Sequence, residues 1–215
     1  MIDLSIIIVS FNTKDLTVQC LKKLNESLEK EALRYEIIVV DNGSIDGSVN
    51  TIKNLKLKIK NFIFIENKNN LGFGAANNVG LKRAQGKFIL FLNSDVMIDK
   101  ISWKNILEYM QNNPNIGALT TKVILSNGKL DMACHRGFPT IWRSFTYFSK
   151  LEKLVGSLPV LSTVFGGYHL LNKDLNTTHE IDSPTGAFFL SRYDVLSKIK
   201  GFDEDYFMYG EDLDL

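Results

Sequence analysis

Ser5-Ile6-Ile7-Ile8-Val9, followed at once by Ser10-Phe11-Asn12-Thr13, is the stretch that decides the architecture. A run of β-branched apolar residues has no polar face to turn to water, so it fits a strand buried on both sides of a sheet with parallel pairing. Helical spacing takes over directly: Leu16, Cys20, Leu21, Leu24 and Leu28 recur on one helical face, with Thr13 placed as an N-cap. The unit then repeats. Residues 36–40 read as a second strand closed by the turn-prone Asp41-Asn42-Gly43-Ser44, and residues 48–55 as a helix. Residues 62–65 read as a third strand, 74–84 as a third helix and 88–92 as a fourth strand. This alternation predicts an α/β fold, a doubly wound and mostly parallel sheet flanked by helices, with its ligand crevice at the carboxyl ends of the strands.

The polar residues fall at those ends. Asn12 follows the first strand, Asp41 the second, Asn67 the third and Asn93-Ser94-Asp95 the fourth. Turn chemistry alone places Asn, Asp and Gly after strands. Acidic groups after both the second and the fourth strand go further, because they would converge on one crevice and hold a nucleotide and a cation. Beyond Asp95, Trp103, Ile106, Leu107 and Met110 predict an amphipathic helix that stops near Pro114. Residues 116–125 read as a longer strand, and Asn127-Gly128 as a hairpin turn.

The rest of the chain excludes more than it assigns. With 215 residues, 45% apolar and 23% charged, the composition is that of a folded globular protein. A net charge of +1 without blocks of either sign leaves no electrostatic footprint for nucleic acid. Cys20 and Cys134 stand too far apart for a disulfide framework or a metal cluster, which fits a reducing, cytoplasmic compartment. No export signal is visible at the amino end. The longest apolar stretch, residues 154–165, is shorter than the roughly 18 to 20 residues that span a bilayer and contains Pro159. It lies in an aromatic-rich segment, residues 138–168, with Arg143, Lys150 and Lys153, so it could rest on a membrane surface; buried core is the favoured reading. No repeat or linker divides the chain, so one domain is expected, with a nucleotide-binding half (1–100) and an acceptor-side half (101–215).

At the carboxyl end, Glu211-Asp212-Leu213-Asp214 follows the aromatic run 202–209, where flanking rings could lower local solvation and tune a carboxylate for proton abstraction. An acidic helix start is the competing account.

Six segments stand in order. They are Ser5 to Asn12, Val39-Val40-Asp41-Asn42-Gly43-Ser44 to Ser48, Asn70-Leu71-Gly72-Phe73-Gly74 to Gly80, Phe91-Leu92-Asn93-Ser94-Asp95, Thr185-Gly186-Ala187-Phe188-Phe189, and Gly201-Phe202 through Leu215. Over nearly the whole chain this resembles family 2 glycosyltransferases, above all the rhamnosyltransferase-like branch. The resemblance implies a GT-A fold, a nucleotide-sugar donor of the dTDP-rhamnose or UDP-hexose type, a divalent cation (Mg2+ or Mn2+) and inversion at the anomeric carbon. It implies as acceptor a hydroxyl of a surface glycan or a lipid-linked glycan, the latter bringing the enzyme to the inner membrane face.

Residue by residue, the resemblance makes Asp95 the metal ligand and Asn93 the first position of the family's acidic motif, without its charge. Asp41 would meet the nucleoside base or ribose, and Asp46 would cap the following turn. Ser10 and Asn12 would lie on the donor, while Asn77 and Asn78 stand at the position beside base and phosphates, with helix capping as the equal alternative. Gly72 and Gly74 would permit close backbone approach. Asp212 is the expected base with Glu211 beside it, Asp214 is structural, and Thr185 and Gly186 line the acceptor side. His135 and Arg136 either grip a lipid-linked diphosphate or form a surface loop; His169 and His179 are too isolated to be ligands. Relatives continue past this point with an Arg-containing helix, so the chain is expected to be truncated. A nucleotide-sugar-binding module without turnover is therefore one alternative. A sugar nucleotidyltransferase is the other, though Ser10-Phe11-Asn12-Thr13 supplies no Gly-rich basic loop for a triphosphate.

Overall fold

The β-branched run becomes β1 (Ile2–Ser10), with Leu4, Ile6, Ile7 and Ile8 fully buried in the computed structural model, which describes residues 2–56, 59–155 and 158–215. The alternation continues with α1 (Lys14–Leu28), β2 (Tyr35–Asp41), α2 (Ser48–Lys56), β3 (Phe62–Glu66), α3 (Phe73–Leu81), β4 (Gly86–Leu92), α4 (Trp103–Asn112) and β5 (Ala118–Leu119). A single-turn 3-10 helix (Met132–Cys134) precedes α5 (Ile141–Phe148), α6 (Leu151–Val155) and α7 (Pro159–Phe165). The chain closes with β6 (Phe188–Arg192), α8 (Tyr193–Ile199) and α9 (Glu211–Asp214). Two compact units result, residues 1–119 with 186–215, and residues 120–185.

In the first unit the strands run in the order β3-β2-β1-β4-β6-β5. β1 pairs in parallel with β2 and β4, and β2 with β3, so the chain winds outward from β1 on one side and then crosses to the other. That reversal is the topological switch point at which open α/β sheets hold ligands. β6 returns antiparallel to β4, with Phe188 opposite Leu92, which brings the start of β6 to the carboxyl end of β4. Ile7, Ile38, Val40, Ile89, Phe91 and Phe189 pack with Ala76 of α3 and Leu196 of α8 in one core.

Three local expectations change. Residues 116–125 do not make a long strand: β5 pairs through Ala118 and Leu119 against Ser191 and Leu190, and the chain then leaves the sheet. Thr13 precedes α1 but makes no side-chain cap bond, its hydroxyl lying instead within hydrogen-bond distance of Thr17 (3.0 Å) and Ser94 (3.2 Å). The Asn127-Gly128 turn forms as expected, with Gly128 at φ +79° and an antiparallel bridge between Ile124 and Leu130.

The second unit corrects the expectation of an apolar core in residues 138–168; residues 156 and 157 of that stretch lie outside the described residues. Phe145, Phe148, Leu154, Val160 and Val164 are exposed, whereas His135, Thr146, Glu152 and Ser162 are buried. The histidines are not isolated either. His135 Nδ1–H donates to the His169 carbonyl (2.8 Å), the Nε2 atoms of His135 and His179 meet at 2.8 Å, and His169 Nδ1 is 3.0 Å from Glu152. His135 is buried rather than part of a surface loop, and that burial holds its imidazole below the ordinary pKa. Among the described residues, no helix is long and apolar enough to cross a membrane.

Candidate active site

The parallel register sets Ser10 of β1 beside Asp41 of β2, and Asp41 beside Glu66 of β3, at the carboxyl edge. Side chains and backbone then lace the strand ends together. Asn12, held at φ +53° where asparagine is tolerated, accepts the Ile45 amide on its Oδ1 (2.9 Å) and donates its own amide to Ser44 Oγ (2.9 Å). Asp46 accepts the Lys14 and Ser48 amides (both 3.0 Å), which fixes the β2–α2 turn against the start of α1.

Asp41 itself is fully buried. Its Oδ1 accepts the Ser44 amide (2.8 Å), while its Oδ2, also buried, has no hydrogen-bond partner. Buried polar atoms are almost always paired, so an orphaned carboxylate oxygen marks a place where a donor is missing.

On the far side of β1, the loop after β4 is fixed by backbone. The Asn93 amide donates to the Ala187 carbonyl (3.1 Å), and the Cys20 thiol lies 3.7 Å from the Asn93 carbonyl. Burial, with the charge of Asp95 adding, pushes the Cys20 thiol up to about 12, so it stays protonated and structural. Asp95 is exposed, and Asn93 Oδ1 is a second buried oxygen without a partner. Among the described residues no cluster of three or more His, Cys, Asp or Glu side chains is built to hold a metal. One open carboxylate and one orphaned carboxamide oxygen do not make a protein cage. They fit a hard cation that takes most of its oxygens from substrate phosphates and water.

The carboxyl-terminal acids reach the same edge. Gly186, the first residue of the segment returning from the second unit, donates its amide to Asp212 Oδ2 (3.2 Å), and the next residue, Ala187, holds the Asn93 loop. Asp212 is half-buried, Glu211 buried and Asp214 exposed. Thr185 is buried and belongs to the second unit. Asp41 at the end of β2, Asp95 in the loop after β4 and Asp212 in α9 thus sit on segments joined through Asn12, Thr13, Ser94, Asn93, Ala187 and Gly186. A cavity of about 480 Å3 lined by Asp3, Glu31, Lys87 and Gln111 lies elsewhere, at the amino edge.

Several expected donor residues serve the scaffold instead. Ser10 is fully buried, with its hydroxyl 3.1 Å from that of Thr17. Asn78 is buried and bonds Phe202 twice, donating to its carbonyl (2.8 Å) and accepting its amide (2.9 Å), with a further donation to Glu204 (3.0 Å). It clamps the segment before α9 onto α3. Asn77 donates to the Phe73 carbonyl one turn back (3.0 Å). The close approach at Gly72 (φ +89°) is made by the chain itself, since an added Cβ would stand 2.5 Å from the Phe207 carbonyl. Of the aromatics ahead of α9, Phe202 enters the core against Phe91, while Tyr206, Phe207 and Tyr209 stay exposed and build no apolar wall.

Asn42 carries a role that the turn reading concealed. Buried beside Asp41, it donates to Asn70 Oδ1 (2.7 Å) and the Gly72 carbonyl (3.1 Å), and accepts from Asn67 Nδ2 (3.0 Å) and the Leu71 amide (3.1 Å). A carboxamide is the side chain that offers two donors and an acceptor oxygen at one point, which is the available sequence signal. Asn42→Ala is expected to destabilise the fold by about 2–4 kcal/mol, because its buried partners are left unpaired. Denaturant unfolding checks this, and an unchanged midpoint would contradict it.

The family profile described as Glycosyl transferase family 2 matches residues 5–179. A poly(ribitol-phosphate) beta-glucosyltransferase of Bacillus spizizenii is 37% identical over 121 residues, 54% of this chain and 19% of that one. An uncharacterized glycosyltransferase of Methanocaldococcus jannaschii is 32% identical over 130 residues, 59% of this chain and 44% of that one. The chain therefore spans less than half the length of these relatives. Among solved structures, S. aureus TarS 1-349 superposes with a TM-score of 0.64 at 22% identity, over 99% of this chain and 53% of that one. A mannosyltransferase from Pyrobaculum calidifontis, in complex with GDP-Man and Mn2+, superposes with a TM-score of 0.59 at 15% identity, over 97% and 49%. At these identities the structural likeness is one of fold, the GT-A arrangement of a mostly parallel sheet between helices. With the family profile matched across most of its length, the chain belongs to glycosyl transferase family 2.

Proposed function

We propose that this chain binds a nucleoside-diphosphate sugar at the carboxyl edge of its sheet and transfers the sugar, with inversion, to a hydroxyl of a surface glycan or lipid-linked acceptor. The observation that carries the reading is the orphaned Asp41 Oδ2, buried one strand from β1 at the switch point. A nucleobase N–H or a ribose hydroxyl supplies the donor it lacks. Asp95 and the Asn93 carboxamide oxygen would hold Mg2+ or Mn2+ together with the donor's phosphates. When bound, the ion offsets charge developing on the departing diphosphate. Asp212 takes the proton from the incoming hydroxyl, oriented by the Gly186 amide and with Glu211 behind it. Attack opposite the leaving group then inverts the anomeric centre. Thr185 and Gly186 flank the acceptor side.

Support for the donor class comes from neighbours: TarS was solved with UDP and with UDP-GlcNAc, and the Pyrobaculum enzyme with GDP-Man and Mn2+. The uridine complexes favour a UDP-sugar over dTDP-rhamnose. A cytoplasmic setting fits the two free, buried cysteines. The test is a panel of UDP-, dTDP- and GDP-sugars followed by thermal shift and by release of nucleoside diphosphate with and without Mn2+. At least one donor is expected to raise the melting temperature and to turn over with the ion present. A panel that neither binds nor turns over contradicts the proposal, and binding without release favours the binding module.

A further inference from the structure

Three successive helices of the second unit are built inside out. α5 buries Thr146 and exposes Ile141 (92%) and Phe148 (76%); α6 buries Glu152 beside Leu154 (75%); α7 buries Ser162 between Val160 (78%) and Val164. Polar groups hold them from within. Glu152 accepts both the backbone amide and the imidazole of His169, and Trp142 Nε1 donates to the Val164 carbonyl (3.0 Å), fastening α5 to α7. Among the described residues of this unit, Cys134 and Leu170 are the buried apolar side chains. Water on such a face is costly, because its apolar side chains forgo burial away from solvent.

Charge selects the occupant. The charged residues of 138–168 are Arg143, Lys150, Glu152 and Lys153. Glu152 is buried and Arg143 pairs with Asp182, so the exposed ions among the apolar side chains are the two lysines. Lysine is depleted in the cores of protein interfaces, where its ammonium is desolvated. At a bilayer surface its stem lies on the acyl boundary while the ammonium reaches phosphate. An eight-residue helix is only about 12 Å long, which suits lying in the interface and not spanning it.

We propose that α5, α6 and α7 form a membrane-docking face that seats the second unit on a bilayer carrying anionic headgroups. Occupancy of this face does not depend on glycosyl transfer. The test uses the full chain with phosphatidylcholine vesicles, with and without phosphatidylglycerol. The chain is expected to co-sediment with the anionic vesicles, which also shield Trp142 from acrylamide quenching; Trp103 is buried in either state. Lys150→Gln with Lys153→Gln should weaken that binding by roughly tenfold or more. Phe148→Ser with Leu154→Ser should abolish it, while circular dichroism and nucleotide-sugar binding stay unchanged. Absence of vesicle binding, or equal binding by the serine variant, would overturn the proposal. So would self-association that only the serine variant disrupts, because the face would then belong to a second copy.

Discussion

Asp212→Asn is expected to lower kcat for sugar transfer by about two to four orders of magnitude, the usual share of a positioned general base. The substitution suits the geometry. Asp212 Oδ2 accepts the Gly186 amide, and an asparagine carbonyl oxygen accepts the same bond, so α9 and the start of β6 stay in place. What asparagine cannot do is take a proton from the acceptor hydroxyl. Donor affinity should therefore remain within about twofold, because the lost interaction acts only as the reaction proceeds. Comparable turnover by the variant would remove Asp212 from the role. A parallel loss of donor affinity would move it to the donor side.

The Asp41→Asn variant separates the two ends of the crevice. Asparagine still offers an oxygen to the Ser44 amide, but its other position becomes an N–H that faces the ligand donor instead of accepting from it. Nucleotide-sugar affinity should fall about ten- to hundredfold, the range for hydrogen bonds to a charged group. At saturating donor kcat should change little. The ligand-free chain should be no less stable, since the substitution removes a buried carboxylate whose second oxygen has no partner. Calorimetric titration decides, and an unchanged dissociation constant would exclude Asp41 as a donor contact.

β1, β2 and β4 were legible because their side chains answer to one physical demand, burial on both faces, which leaves an apolar run in each; β3, half-buried at the sheet edge, was legible from its own short apolar run. The sheet's carboxyl edge followed from the Asn and Asp residues that end those runs. β6 was missed: Phe188-Phe189-Leu190 is an aromatic and apolar run, but it was legible only as part of a family motif and not as a strand. Its antiparallel pairing with β4, which sets Gly186 beside Asp212, is a non-local property that the run itself does not carry. Sequence spacing likewise could not separate a residue that faces the crevice from one that clamps it. Asn78 and Ser10 are spent on Phe202 and Thr17, whereas Asp41 keeps one oxygen free. The second unit was the least legible part. Apolar residues at helical spacing imply a buried face only when the helix packs apolar side inward, and α5, α6 and α7 do the reverse. The meeting of His135, His169 and His179 joins residues that no local pattern connects.

The claim beneath all of this is that the loops after β1, β2 and β4 and the segments opening β6 and α9 form one nucleotide-sugar site. Amide chemical-shift mapping of the labelled chain during titration with a UDP-sugar and Mg2+ tests it most directly. Shifts concentrated at residues 12, 41–44, 93–95, 186 and 212 are the predicted result. Saturable binding whose shifts fall instead at the amino edge, around Asp3, Glu31 and Lys87, would contradict it.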